Sequence, residues 1–173
     1  SIARCVAKYY ADEEFPVRLC YTGNTYTNTL KLQGKLKEVT QIGAELINDD
    51  SSAADAEIIA TVIDCFNEIG IKDFQIEIGQ IDYFKGLVAE SGISEEEEDQ
   101  IKEYIHIKNF FGLEEYVDAL DISDSLKKAF SSFDSLFGGV AMLDTAESHV
   151  SNETSLEAVK RLRRVYEALE CYG

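Results

Sequence analysis

Two stretches of alternating side chains constrain the fold of this chain more than any other feature. Residues 17–23 alternate Val, Leu and Tyr with Arg, Cys and Thr, and residues 36–47 form a second, longer extended run. Successive side chains of a β-strand point to opposite faces of the sheet, so this alternation predicts strands. Residues 26–30 continue the first strand or pair with it, and residues 31–34 form the turn. The sequence therefore predicts an antiparallel β-hairpin.

Helices account for most of the remaining chain. A short amphipathic helix is predicted for the first ten residues, and another begins near Ser52 and Asp55, whose spacing resembles a capping box, and stops at Gly70. Residues 74–79 (F-Q-I-E-I-G) alternate as a third strand, and a helix is predicted for residues 81–90.

Beyond Gly92 the sequence predicts only helices. They start at the acidic run 95–99, which we interpret as a solvated helix N-terminus, and the last covers about residues 153–172. The order α-β-β-α-β followed by helices contains too few strands, placed too close in sequence, for a doubly wound sheet. An α+β class is therefore predicted.

The net charge of −17 narrows the choice of partners. Residues 1–50 carry six basic and seven acidic side chains, so nearly all excess acid follows Asp50. Such a surface repels phosphate backbones, and we predict no nucleic-acid partner. No run of residues predicts a signal peptide or membrane span, so the cytoplasm is the expected compartment and no membrane partner is expected. The four cysteines lack metal-site spacing and are interpreted as reduced core thiols; no metal is predicted.

One face of the second predicted strand carries the candidate ligand site. Gln41, Gly43 and Glu45 share this face with Lys37 and Val39. Gln41 and Glu45 are expected about 13 Å apart along the strand, and Gly43 leaves a gap between them in which a small ligand could rest. The alternative is an amphipathic strand whose polar side faces solvent.

Four segments of the chain resemble the core of histidyl-tRNA synthetases. They read R-L-C-Y-T-G-N-T-Y from residue 18, G-K-L-K-E-V-T-Q-I-G-A-E-L-I from residue 34, A-D-A-E-I-I-A from residue 54 and D-F-Q-I-E-I-G from residue 73. The resemblance implies part of a class II aminoacyl-tRNA synthetase-like antiparallel sheet with flanking helices. It also implies that Gln41 and Glu45 hold the amino and imidazole groups of histidine.

Positions that handle ATP in those synthetases differ here. The motif-2 arginine that grips the α-phosphate is similar in position to Thr27, and threonine cannot supply a bidentate cationic fork. A family glutamate corresponds to Thr29, and the family G-R-x-R places Lys35 and Lys37 at its arginines. Val39 stands where an aromatic ring stacks on adenine. The resemblance therefore implies no catalytic residue, no cofactor and no adenylate formation.

A second family is more similar still. R-L-C-Y-T-G-N, E-V-T-Q-I-G-A-E-L-I and the tail L-F-G-G … L-x-x-V-Y-E-x-L-x-x-Y-G are typical of the regulatory subunit of ATP phosphoribosyltransferase, a synthetase paralogue. This resemblance implies a non-catalytic subunit that supports a short-form catalytic subunit and helps transmit feedback by histidine in the first step of histidine biosynthesis. It implies a dimer within a hetero-oligomer.

The family is longer at both ends, with motif 1 expected before Ser1 and motif 3 after Gly173. We therefore predict a fragment, with residues 1–92 belonging to the synthetase-like core and residues 93–173 to a helical insertion. Two other functions stay open: a histidyl-tRNA synthetase catalytic fragment, and an interaction module without a ligand.

Several other polar side chains are interpreted conservatively. Asp55 and Glu57 are expected to cap a helix rather than bind a ligand. His106 and His149 lack a second metal-ligand residue at helical spacing and are expected to be ordinary histidines. The arginines of the last helix are expected to pair with neighbouring acids, with a contact to the catalytic subunit as the alternative: Arg161, Arg163 and Arg164.

Overall fold

The computed structural model describes residues 2–28 and 36–172. The chain forms two compact units, Ser1–Lys72 and Asp73–Gly173. This division falls twenty residues before the end of the predicted synthetase-like segment at residue 92. The predicted boundary separates a synthetase-like segment from a helical insertion, whereas this division separates two compact units. The boundary at residue 92 therefore stays a prediction.

The first unit contains the predicted hairpin. Helix α1 (Ile2–Tyr9) precedes strands β1 (Val17–Tyr26) and β2 (Glu38–Ile47), and helix α2 (Ser52–Glu68) follows them. The strands pair antiparallel with Val17 opposite Ile47 and Tyr26 opposite Glu38. The backbone N–H of Thr27 donates to the carbonyl of Lys37 at 2.9 Å, which extends the pairing by one residue. The hairpin is confirmed, while its predicted turn at residues 31–34 lies outside the described residues.

The N-cap of helix α2 lies one residue earlier than predicted. The side chain of Ser51, in extended conformation, accepts a hydrogen bond from the N–H of Ala54, so Ser51 is the N-cap and Ser52 is the first helical residue. The proposed box of Ser52 and Asp55 was therefore wrong by one position. Asp49 contributes to this turn because its carboxylate accepts from the N–H of Ser51, which lowers its pKa.

The second unit is helical throughout its assigned elements. It consists, within the described residues, of helices α3 (Ile81–Ser91), α4 (Glu95–His106), α5 (Phe110–Asp118), α6 (Asp124–Ser131), α7 (Met142–Ser148) and α8 (Glu153–Glu170), with a 3-10 turn at Ser132–Ser135. The predicted helix start in the acidic run is confirmed: Ser94 and Glu97 form a reciprocal capping box ahead of α4. Residues 74–80 do not form a strand. Alternation alone predicted one, but a strand requires a backbone partner, and no described segment pairs with these residues.

A continuous apolar core lies inside the second unit. Phe130, Leu87 and Ile101 are among its fully buried side chains, and Phe84 packs edge-to-face against Phe130. Helices α3 and α8 approach closely at Gly86, where an added Cβ would lie 2.3 Å from the Oγ of Ser155. That hydroxyl donates to the carbonyl of Tyr83 at 2.8 Å. Ser155 is the only buried polar residue among the described residues, and its side chain is therefore hydrogen-bonded.

The class is α+β, with a two-stranded antiparallel sheet and eight α-helices in the described residues. None of the helices in the described ranges is both long enough and apolar enough to cross a membrane. The cysteines are free thiols, but Cys20, Cys65 and Cys171 are exposed. The predicted location of these three in the core was wrong, because Cys20 lies on the solvent-exposed face of a hairpin strand, Cys65 on an exposed position of α2, and Cys171 just after α8.

Candidate functional site

The predicted ligand residues lie together on one face of the hairpin. Because directly opposed residues of an antiparallel pair share a face, the register places Gln41 beside Gly23, Gly43 beside Tyr21, and Glu45 beside Leu19. Gln41 is exposed, whereas Gly43 and Glu45 are half-buried. The hairpin therefore presents all three predicted residues in a row, with residues of β1 alongside them.

Tyr21 lies over Gly43 and fills the gap that the sequence predicted there. A Cβ placed on Gly43 would meet the ring atoms Cε1 and Cζ of Tyr21 at 2.4 Å, so the ring rests directly against the glycine backbone. The Nε2 of Gln41 donates to the hydroxyl of Tyr21 at 2.8 Å. The absence of a side chain at Gly43 thus makes room for the ring of Tyr21, which occupies the space above the glycine. Tyr21 was missed because its opposition to Gly43 depends on the register.

Two hydrogen-bond acceptors on this face have no partner in the described part of the chain. They are the carboxamide oxygen of Gln41, whose nitrogen contacts Tyr21, and the carboxylate of Glu45. An open position also lies beside Gln41, since a Cβ on Gly23 would meet no atom within 4 Å. The face is therefore rich in acceptors, which suits a ligand that brings N–H donors or positive charge.

The described positions where the sequence predicted loss of ATP-binding residues lie at the end of the hairpin where Tyr26 pairs with Glu38. Thr27, Lys37 and Val39 are exposed, while Thr29 and Lys35 lie outside the described residues. On the opposite face, the carboxylate of Glu38 accepts from the amide of Asn24 at 2.6 Å and from the hydroxyl of Tyr26 at 2.9 Å. These bonds tie the two strands together near the hairpin's far end.

Glu57 has a different role from the predicted cap. Its carboxylate receives two hydrogen bonds from the guanidinium of Arg18, one from Nε and one from a terminal nitrogen. The guanidinium of Arg18 lowers the pKa of Glu57, so the pair is ionised at neutral pH. Glu57 therefore links α2 to β1 of the sheet, and the predicted capping role was wrong for this residue because it lies beyond the first turn of α2.

Two of the three arginines of α8, Arg163 and Arg164, pair with acids as predicted. Arg163 contacts Asp144 at 2.8 Å, and Arg164 contacts Glu157 at 2.6 Å. His106 is exposed at the end of α4, and His149 is half-buried after α7. Among the described residues, no three histidine, cysteine or acidic side chains lie together in a group that could hold a metal ion.

A groove of about 610 Å³ lies within the second unit. Its wall is mostly apolar and includes Phe133, Leu136 and Phe137, with residues 77–80, which precede α3, along one side. Tyr83 also lines it, and burial raises the pKa of Tyr83 to about 12, so its hydroxyl is neutral and donates to the carbonyl of Ala146 at 3.1 Å. Besides Tyr83, the ionisable side chains among its lining residues are Glu77, Lys102 and His106.

The whole chain matches one protein-family model. Residues 1–173 match the family described as histidyl-tRNA synthetase. The chain therefore belongs to the histidyl-tRNA synthetase family, as the hairpin segments predicted.

Its relatives within that family carry a more particular name. A protein of Acetivibrio thermocellus called ATP phosphoribosyltransferase regulatory subunit is 41% identical over 172 residues, which are 99% of this chain and 41% of that protein. A protein of the same name from Clostridium acetobutylicum is 34% identical over 174 residues, covering 99% of this chain and 43% of that protein. The chain thus spans less than half the length of the relatives that it matches.

A solved structure has the same fold. The crystal structure of an ATP phosphoribosyltransferase regulatory subunit/histidyl-tRNA synthetase from Bacillus halodurans matches 99% of this chain and 44% of that chain, with a TM-score of 0.89 and 33% sequence identity. The predicted synthetase-like α+β fold is confirmed by this match.

Proposed function

We propose that this chain forms part of a regulatory subunit of ATP phosphoribosyltransferase that has no aminoacylation activity of its own. The observation that carries the proposal is the hairpin itself, which places Gln41 and Glu45 on one face. The resemblance adds that Thr27 stands where the synthetases have the motif-2 arginine. A hydroxyl cannot neutralise a phosphate as a guanidinium does. The name shared by the relatives supports the same conclusion.

Histidine is the proposed effector. Gln41 and Glu45 offer acceptors that would meet the ammonium and imidazole groups of the amino acid, with Gly43 and the ring of Tyr21 between them. The proposed partner is a short-form catalytic subunit in the cytoplasm, with the full-length regulatory protein as a dimer inside a hetero-oligomer. Feedback then requires histidine to bind two states of this assembly with different affinity, a coupling of about 1–3 kcal/mol.

Reconstitution tests this proposal. The full-length protein is mixed with a short-form catalytic subunit, and formation of phosphoribosyl-ATP is followed at increasing histidine concentrations. We expect activity to depend on the regulatory protein and to fall with histidine. Gln41→Ala should raise the half-inhibitory histidine concentration by roughly tenfold or more, which corresponds to loss of about one charge-assisted hydrogen bond.

Thr40→Ala is the matched control, since Thr40 neighbours Gln41 but belongs to the opposite face, where its hydroxyl contacts Asn24 at 2.8 Å. It should leave the half-inhibitory concentration unchanged. A Gln41→Ala protein with wild-type feedback would reject the histidine site.

The competing function is that of a histidyl-tRNA synthetase catalytic segment, because the matching family model and the solved relative both carry that description. Pyrophosphate exchange that depends on both histidine and ATP separates the two. We expect none from the full-length protein, and robust exchange would reject the regulatory proposal.

A further inference from the structure

We propose that Tyr21 is the positioning residue of the hairpin site and forms the floor on which the ligand lies. The inference rests on the proposed histidine site and adds a residue to it that neither the sequence pattern nor the names of the relatives indicate. It starts from the observation that the ring of Tyr21 occupies the place that Gly43 leaves free. Any ligand between Gln41 and Glu45 would meet this ring before it met the strand backbone.

The hydroxyl of Tyr21 sets the orientation of Gln41. Because the Nε2 of Gln41 donates to this hydroxyl at 2.8 Å, the nitrogen side of the carboxamide is held toward the ring. The oxygen side is left without a partner among the described residues and can accept from a ligand. An unanchored glutamine would sample both orientations of its amide, and ligand binding would then carry the entropy cost of fixing one of them. Tyr21 thus acts on the ligand partly through Gln41.

The resulting face has an acceptor at each end and an aromatic ring in the middle. Gln41 supplies one acceptor and Glu45 the other, and Tyr21 is only half-buried, so solvent reaches it. Tyrosine rings attract cations and stack with flat π systems. The arrangement suits a small molecule with N–H donors at both ends and a flat or cationic group that can contact the ring of Tyr21, which an amino acid with an imidazole side chain provides.

Four substitutions separate the ring, its hydroxyl and the glycine beneath it. Histidine binding to the full-length protein is measured by calorimetry, and the melting temperature without ligand reports folding. Tyr21→Phe keeps the ring and loses the anchor, so affinity should fall roughly 3- to 10-fold. Tyr21→Leu loses both, and affinity should fall on the order of 30-fold. Gly43→Ala should match Tyr21→Leu, because a Cβ there displaces the ring. Gly139→Ala in the second unit is the control, since its Cβ would meet no atom within 4 Å and it lies outside the hairpin, and the affinity should stay within about twofold of wild type.

A double-substitution cycle distinguishes positioning from simple packing. If the hydroxyl acts through Gln41, Tyr21→Phe should have no further effect on affinity in a Gln41→Ala background. Fully additive losses, or wild-type affinity in a folded Tyr21→Leu protein, would overturn the role of Tyr21 and leave the histidine site standing. Absence of histidine binding by the wild-type protein would instead reject the site itself, and the floor with it.

Discussion

The two units of this chain differ in how they bury apolar surface. The second unit encloses large fully buried side chains, among them Phe130, Leu87, Ile101, Leu113 and Val117. In the described part of the first unit the buried apolar residues are three alanines of α2: Ala54, Ala56 and Ala60. Its hairpin instead exposes Ile42 at 81% and Tyr26 at 73%. The helical unit therefore has its own hydrophobic core, whereas the described residues of the unit that carries the candidate site bury no large apolar side chain completely.

The unit expected to contribute most of the folding stability is therefore not the unit that carries the proposed ligand site. Burial of apolar surface is the main source of folding free energy, so the helical unit should dominate the stability of the chain. A two-stranded hairpin by itself is only marginally stable in water. The side chains proposed to bind the ligand lie in the unit that buries less apolar surface among the described residues.

The largest expected effect concerns the two units expressed separately. Residues 73–172 should give a helical circular dichroism spectrum and a cooperative thermal transition, because their core is internal. Residues 2–72 should unfold without a sharp transition, since the buried apolar side chains among their described residues are alanines. A cooperative transition in the first piece, or its absence in the second, would reverse the comparison.

Within the helical unit, Phe130→Ala should lower the free energy of unfolding by about 3–5 kcal/mol. Phe130 is fully buried and packs on Phe84. Chemical denaturation measures the loss. Phe111→Ala is the control, because Phe111 is 72% exposed, and it should cost less than about 1 kcal/mol. Equal losses of unfolding free energy for the two variants would show that Phe130 does not belong to the hydrophobic core.

Gly86→Ala tests the contact of α3 with α8. An added Cβ would lie 2.4 Å from the Oδ1 of Asn152 and 2.8 Å from the backbone nitrogen of Ser155, so the helices must separate. We expect a loss of about 1–3 kcal/mol in the free energy of unfolding, although alanine is the better helix former. Gly139→Ala, whose Cβ would meet nothing within 4 Å, should change it by less than about 0.5 kcal/mol. A stabilising Gly86→Ala would contradict the close approach.

The smallest expected effect lies in the hairpin unit, at the pair Arg18 and Glu57. Arg18 depresses the pKa of Glu57 below its ordinary value of 4.5 in the folded state. The pair therefore stabilises the fold above that pH, and its contribution disappears as the pH falls through the depressed pKa. The melting-temperature difference between wild type and Glu57→Gln should be small at pH 7 and vanish at strongly acidic pH. Glu68→Gln, at the far end of α2, controls for the change in charge, and a Glu57→Gln difference that grew on acidification would contradict the pairing.

Much of the fold was predictable because the signals were local. The hairpin, the helix over residues 81–90 and the helix start after Ser94 follow from alternation, 3.6-residue periodicity and capping chemistry. The strand over residues 74–79 failed because pairing is not local: alternation states which side chains would share a face but not whether another backbone lies beside it. The N-cap at Ser51 was missed by one residue, since Ser51 and Ser52 present the same chemistry and only the backbone conformation separates them.

The candidate site likewise has features that the sequence predicted and features that depend on contacts between distant residues. That Gln41, Gly43 and Glu45 share a face was determined by the sequence alone, because the two-residue period of a strand leaves no alternative. Only the tertiary structure placed Tyr21 over Gly43 and bonded it to Gln41, and joined Glu57 to Arg18, since the partners are 22, 20 and 39 residues apart. Such contacts depend on strand register and on how a helix packs, and neither is encoded by a pattern within a single element.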